Sequence, residues 1–235
     1  FDHVLESADE LSDLYRPAAG VAVAKDADRL DDACRGFIAM STFVLVGTSS
    51  TDGLLDVSPR GGPAGFVKVL DDQRLAIPDL NGNNRLDSIR NIIEQGQIGL
   101  LFIVPGLGET LRINGSACIT TDPAVLDLFA EEVRRPKTAI GVTFEQGFLH
   151  CAKAFRRSGM WQPDSWAGST EQPSAGQMIV DHAGLDGQMT AEQVGELLDV
   201  AHEVAGGHLV VATEQHAERL PCCPAVGHGS EPRVG

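Results

Sequence analysis

The chain has 235 residues, enough for one large domain or for a domain with an extension. It carries 33 acidic and 18 basic residues, a formal net charge of −15, and its basic residues form no stripe with interleaved aromatic residues. This charge argues against nucleic acid and anionic membranes as partners. No apolar run reaches the ~18 residues of a transmembrane helix, and the N-terminus lacks the features of a signal peptide. Five cysteines without regular spacing argue against a disulfide framework and favour the cytoplasm.

Residues 1–36 are predicted to form a helical extension. Leucines at helical spacing indicate a short helix from Glu6 to Tyr15, which Pro17 ends. A second set of apolar residues at the same spacing indicates a helix from Asp26 to Ile38.

From residue 42 the apolar period changes to that of β-strands. Short turn signals, such as Asp52-Gly53 and Asp71-Asp72, separate the runs and predict antiparallel neighbours. The predicted strands cover residues 42–48, 54–57, 66–70, 74–78, 98–104, 110–120 and 138–145. Crossover connections need about a dozen residues each, and most of these connections are shorter. The pattern therefore predicts a mainly β protein with flanking helices, in which six or seven antiparallel strands form a Greek-key-like, closed or partly closed barrel over residues 37–166.

Helices are predicted between and after these strands. One runs from Asn84 to Glu94 and stops at Gly96, and another begins at Asp122 and passes Val133. Further helices are expected at 150–157 and at 190–204, the latter after a link rich in Pro, Gly and Ser. Residues 167–235 are thus predicted to form a linker, a helix and a poorly ordered tail.

The stretch from Ile77 to Ile93 contains the most informative motif, Gly-Asn-Asn-Arg at residues 82–85. Backbone N–H groups and the positive end of the helix dipole favour an anion at a helix start, and Arg85 adds a guanidinium. Ser58-Pro-Arg-Gly-Gly62 lies one apolar segment upstream and supplies Arg60. The two motifs together predict the binding of a small phosphorylated ligand.

The order of these motifs resembles the pyridoxamine 5′-phosphate oxidase superfamily, in particular an uncharacterised flavoprotein branch of it. The resemblance spans residues 37–161 and implies the FMN-binding split β-barrel, FMN as cofactor, and a homodimer with the site at the subunit interface. By position, Arg60 and Lys68 match the family's phosphate-binding arginine and lysine, and Thr110 matches a flavin-contacting glutamine. The residues that the resemblance and their motifs single out for cofactor binding are Ser58, Arg60, Gly61, Gly62, Lys68, Asn83, Asn84, Arg85, Thr110, Arg112 and Trp161.

Several roles stay open at this level. Gly61 and Gly62 either form a turn or let the backbone approach the flavin ring, because glycine has no Cβ. Arg112 either pairs with Glu109 or lies near the flavin. Trp161 either stacks on the cofactor or packs in the protein.

The sequence also departs from the oxidase itself, whose Arg-x-x-Arg-Leu-His-type ending is missing here. The resemblance therefore predicts an FMN-dependent oxidoreductase whose small substrate and catalytic residues are unknown. The alternatives are an F420-dependent reductase on the same fold, a flavin- or haem-binding protein without catalytic activity, for which His150 is the haem-ligand candidate, and an interaction protein without a cofactor. Cys222, Cys223 and His228 are poorly spaced for zinc, so no metal is expected.

Overall fold

Seven antiparallel strands form one sheet in the order β2-β1-β5-β6-β7-β4-β3. The strands are β1 (Phe43–Ser49), β2 (Leu55–Gly61), β3 (Lys68–Val69), β4 (Arg74–Pro78), β5 (Gln97–Ile103), β6 (Thr110–Thr120) and β7 (Ala139–His150). The helices are α1 (Leu11–Leu14), α2 (Asp32–Met40), α3 (Asp87–Gln95), α4 (Pro123–Leu126), α5 (Lys153–Ser158), α6 (Ala175–Ala183) and α7 (Ala191–Ala205). This computed structural model describes residues 1–17, 20, 26–80, 82, 84–168, 171–185 and 187–205.

The strand predictions are confirmed for every strand, with differences at the ends. β4 and β6 have the predicted bounds, whereas β3 is shorter than its apolar run and β2 is longer. β7 continues through His150, so the helix predicted from His150 is wrong in its start, and α5 begins at Lys153. Long pairing with β6 keeps these residues in the sheet, because Thr110 still pairs with His150.

Two helix predictions in the N-terminal part need correction. The first helix has only one turn, Leu11–Leu14, and buries no side chain, so tertiary packing does not extend it. The second begins at Asp32 and not at Asp26, because Asp31 has extended backbone angles and its carboxylate accepts a hydrogen bond from the Cys34 N–H at 2.8 Å.

The sheet curls into the split barrel. β2 and β4 are five strand positions apart, which in a flat sheet would separate them by about 24 Å. Nevertheless, burial raises the pKa of Asp79, which directly follows β4, and the Arg60 guanidinium on β2 partly offsets this rise, so the two side chains are near one another. The barrel encloses a continuous apolar core that includes Ile38, Phe66 and Phe102.

The chain divides into two units, Phe1–Gly168 and Ser169–Gly235. The first contains the barrel. In the second, α6 and α7 form a helical hairpin whose backbones approach closely at Gly176, where a Cβ would lie 2.1 Å from the Ala191 carbonyl oxygen. The sequence did not predict α6, and the predicted poorly ordered tail after residue 217 lies outside the described residues. The predicted three-part division of the chain stays a prediction.

Candidate functional site

Strand β2 presents a polar face to helix α3. Along β2 the exposure alternates, so that Asp56, Ser58 and Arg60 are partly buried while Leu55 and Val57 are exposed. This is the side-chain alternation that any strand produces. The polar residues therefore share the face of β2 from which Ser58 and Asp56 contact Ser88 of α3.

A chain of hydrogen bonds connects these side chains in one direction. Arg60 Nη1 donates to Ser58 Oγ at 2.8 Å, the Oγ atoms of Ser58 and Ser88 are 2.8 Å apart, and Ser88 Oγ donates to Asp56 Oδ2 at 2.6 Å. A guanidinium only donates and a carboxylate only accepts. Because Ser88 gives its single hydroxyl proton to Asp56, the proton between the two serines must come from Ser58. We call Arg60, Ser58, Ser88 and Asp56 the Arg60 relay.

The relay leaves one edge of the Arg60 guanidinium available. Nη1 uses its two N–H groups on Ser58 Oγ and on the Pro59 carbonyl oxygen, at 2.8 and 2.9 Å. Within the described part of the chain, Nε and Nη2 make no hydrogen bond. Their N–H groups are parallel, and this is the geometry in which arginine binds two oxygens of a carboxylate or phosphate.

The loop before α3 contributes a second arginine. Asn84 is exposed and has a φ of 57°, a left-handed conformation that a right-handed helix cannot include, so α3 begins at Asp87 and not at Asn84 as predicted. Arg85 Nε contacts Asp87 Oδ2 at 2.6 Å, and the side chain of Arg85 is 79% exposed. The helix start has no side-chain cap, which leaves its first N–H groups to other acceptors. The predicted site residue Asn83 lies outside the described residues.

Carboxylates lie beside both arginines. Asp87 pairs with Arg85, and Asp56 adds to the negative potential at Arg85. Burial raises the pKa of Asp79, while Arg60 and Lys137 partly offset this effect. An anionic ligand must therefore bind in competition with carboxylates that already balance the charge of the arginines.

Lys68 contacts a different group. Its Nζ lies 2.5 Å from Oε1 of Glu132, which follows α4, and both side chains are mostly buried. Oε2 of Glu132 is buried without a hydrogen-bond partner among the described residues. The ammonium of Lys68 is thus already paired with a carboxylate, and its predicted contact with the cofactor phosphate stays a prediction.

Thr110 and Arg112 lie on β6, three strand positions from the end of β2. Thr110 is buried. The paired residues that lead across the sheet from β2 to β6 are Gly61, Phe43, Ile103 and Thr110, a path of about 14 Å along the sheet. The Arg112 guanidinium lies 5.2 Å from the centre of the Phe148 ring, and its Nε donates to Asn114 Oδ1 at 3.2 Å. Arg112 thus contacts its strand neighbours and forms no ion pair with Glu109 in this part of the chain.

Trp161 packs within the protein. Its ring stacks on Phe155, with ring centres 5.3 Å apart, and its indole N–H donates to the Leu107 carbonyl oxygen at 2.8 Å. A cavity of about 240 Å³ adjoins this pair. Its lining residues include Glu109, Arg156 and Gln162.

Packing accounts for one of the two neighbouring glycines. A Cβ on Gly62 would lie 2.7 Å from the Cβ of Phe66, whereas a Cβ on Gly61 would meet its nearest atom, the Thr42 carbonyl oxygen, at 3.4 Å. Gly62 is therefore required by the buried Phe66, and Gly61 retains room for a Cβ.

The sequence analysis missed Asp56 and Ser88, which orient Arg60, and Asn91, whose amide donates to Thr48 Oγ1 at 3.0 Å. Strand alternation places Asp56 on the face of Arg60. Helical spacing places Ser88 and Asn91, three residues apart, on the buried face of α3. Polar residues at buried helix positions were thus the available signal.

The comparisons with known proteins agree with this architecture. Residues 30–151, just over half of the chain, match the pyridoxamine 5′-phosphate oxidase family. The chain belongs to this family. This match and the antiparallel strand order together assign the split-barrel fold that the sequence predicted. No curated protein matches the chain.

Three solved structures illustrate how remote the individual likenesses are. HupZ from Group A Streptococcus is 18% identical over 51% of this chain and 92% of its own, with a TM-score of 0.43. A protein of Clostridium acetobutylicum related to general stress protein 26 is 16% identical, over 51% and 86%, with a TM-score of 0.38. A pyridoxamine 5′-phosphate oxidase-related, FMN-binding protein of Nostoc punctiforme is 11% identical, over 51% and 83%, also with a TM-score of 0.38. At these scores we draw no conclusion from any single structure.

The described residues contain neither a bilayer-spanning helix nor a cluster of metal ligands. None of their helices combines the length and apolarity that crossing a bilayer requires. No three potential metal ligands of the His, Cys, Asp and Glu types cluster among them. Cys222, Cys223 and His228 lie outside this part of the chain.

Proposed function

We propose that this family member binds FMN and is an FMN-dependent oxidoreductase acting on a small substrate. The observation that carries the proposal is the orientation of Arg60. Its Nη1 is held by Ser58 and Pro59, and its parallel Nε and Nη2 N–H groups are left for two oxygens of one anion.

The residues near Arg60 fit the phosphate end of FMN. Arg60 would bind the phosphate through two hydrogen bonds, and Arg85 and the uncapped start of α3 would add positive potential. Packing leaves room for a Cβ at position 61, so the fold does not require a glycine there. Because Gly61 has no Cβ, it would let the backbone approach the ligand. FMN would supply the redox chemistry, and the chain would supply binding and electrostatics.

The other residues predicted to contact the cofactor remain part of the proposal, although some of them already contact other residues of the protein. Lys68 would bind a phosphate in competition with Glu132, and Trp161 would contact the cofactor with Phe155 already stacked on one face of its ring. Thr110 and Arg112 lie about 14 Å across the sheet from Gly61, at a distance that suits the ring end better than the phosphate end. A homodimer with the site at the subunit interface is part of this proposal.

The first test is the visible spectrum of the purified protein, with chromatography of any released cofactor. FMN, the deazaflavin F420 and haem are distinguished by their spectra, so one measurement separates the proposal from its two cofactor-binding rivals. A colourless protein that takes up no added FMN contradicts the proposal.

The second test compares FMN with riboflavin, which has the same ring and ribityl chain but no phosphate. Arg60→Ala should weaken FMN binding by about 1.5–3 kcal/mol for a lost charge-assisted hydrogen bond, and leave riboflavin binding unchanged. Arg90→Ala on the exposed side of α3 is the control for a general loss of positive charge. Equal FMN affinity of wild type and Arg60→Ala moves the phosphate site elsewhere.

Light scattering of the FMN-loaded protein tests the dimer. A monomer that retains FMN contradicts a site shared between two subunits.

A further inference from the structure

We propose that Ser88 is a positioning residue for the ligand phosphate, acting only through Ser58 and Arg60 and without touching the ligand. This inference rests on the proposed function, because it concerns the arginine that would bind the FMN phosphate.

The donor count along the Arg60 relay supports this role. Ser88 donates to Asp56 at 2.6 Å and accepts from Ser58, and Ser58 in turn accepts from Arg60 Nη1. Both hydroxyl protons are therefore used inside the relay. Ser58, which the sequence singled out as a direct cofactor contact, has no proton left for a phosphate, and its role becomes that of an acceptor that holds Arg60.

Burial makes the relay stiff. Ser88 is 4% exposed and is fixed in the second position of α3, and Asp56 and Ser58 are fixed two residues apart on β2. An arginine side chain has many rotamers, and ordering it on ligand binding costs conformational entropy. The relay orders Arg60 in advance, so its loss should weaken phosphate binding even though no relay oxygen contacts the ligand.

Ser88→Ala removes the link between Ser58 and Asp56. The variant should bind FMN about 5-fold more weakly, the effect of one neutral hydrogen bond, and should bind riboflavin as the wild type does. Ser88→Thr retains the hydroxyl and should restore most of the FMN affinity. Asn91→Ala is the control for the buried face of α3, because Asn91 bonds Thr48 Oγ1 at 3.0 Å, and Thr48 reaches Asp56 Oδ2 only through a long hydrogen bond of 3.5 Å.

A double-mutant cycle with titration calorimetry decides whether Ser88 acts through Arg60. In the Arg60→Ala background, Ser88→Ala should change FMN affinity no further. Additive effects, or equal losses for FMN and riboflavin, overturn the inference. So does an Asn91→Ala variant that loses as much FMN affinity as Ser88→Ala. Ser58→Ala, on the half-buried strand face, replaces Ser88→Ala if the latter does not fold.

The same cycle separates this inference from the proposed function. If Arg60→Ala binds FMN as tightly as the wild type, the proposed phosphate site is wrong and the inference falls with it. If Arg60→Ala weakens FMN binding and Ser88→Ala does not, only the inference is wrong.

Discussion

Gly62→Ala should destabilise the apo protein, and Gly61→Ala should not. A Cβ at position 62 would lie 2.7 Å from Cβ and 2.8 Å from Cγ of Phe66, well inside the ~3.5–4.0 Å at which carbon atoms attract. Phe66 is 1% exposed, and its Cβ moves only with its backbone, which a hydrogen bond from Phe66 N to the Pro63 carbonyl oxygen holds at 3.0 Å. The clash therefore cannot be relieved by a change of rotamer.

The magnitude follows from two opposing effects. Overpacking a core costs about 1–3 kcal/mol, and replacing glycine by alanine returns about 0.4–1 kcal/mol by restricting the unfolded chain. We expect Gly62→Ala to lose about 1–2 kcal/mol of unfolding free energy, or about 2–8 °C in Tm for a domain of this size. For Gly61→Ala the nearest contact is 3.4 Å, so the change should stay within about 0.5 kcal/mol.

Urea and thermal unfolding followed by circular dichroism measure both variants against the wild type. The reasoning is refuted if Gly62→Ala is as stable as the wild type, or if Gly61→Ala is the less stable of the two. The pair also resolves the role left open by the sequence. If Gly61→Ala is stable but binds FMN weakly, Gly61 serves the ligand and Gly62 serves the fold.

Three further predictions concern titratable groups. Asp31→Ala should lower the free energy of unfolding by about 1 kcal/mol at pH 7, because it removes the cap of α2. The Cys34 N–H lowers the pKa of Asp31, so the difference between variant and wild type should disappear in unfolding curves recorded at and below that lowered pKa. Asp79→Asn should raise Tm at pH 7, because burial raises the pKa of Asp79 and its ionised form therefore destabilises the folded protein. This gain in Tm should vanish below about pH 4, where the carboxyl is protonated in the folded and the unfolded chain. A lower Tm of the variant at pH 7 would contradict the prediction. Burial raises the pKa of the Cys34 thiol to about 11, so alkylation at pH 8 followed by peptide mass spectrometry should modify exposed Cys118 and leave Cys34 intact; prompt labelling of Cys34 in the folded protein would refute its burial.

The local sequence already determined the strands and most turns. Gly53 and Gly96 adopt the positive φ values that their turn and helix stop require, and the alternating apolar residues of β6 give its bounds. These features depend on neighbours a few residues away, where backbone sterics and the apolar period act directly. The two motifs around Arg60 and Arg85 were likewise visible in the sequence as candidates for one anion site.

Tertiary structure alone decided which partners these side chains contact. Lys68 lies on the next predicted strand after Arg60, yet its ammonium contacts Glu132, because the chain from α4 returns beside β3. Ser88 and Asp56 are 32 residues apart and meet only when α3 packs on β2. Contacts of this kind are selected by the closure of the barrel and by the free-energy cost of leaving buried polar groups unpaired, and no pattern within a single segment encodes that choice.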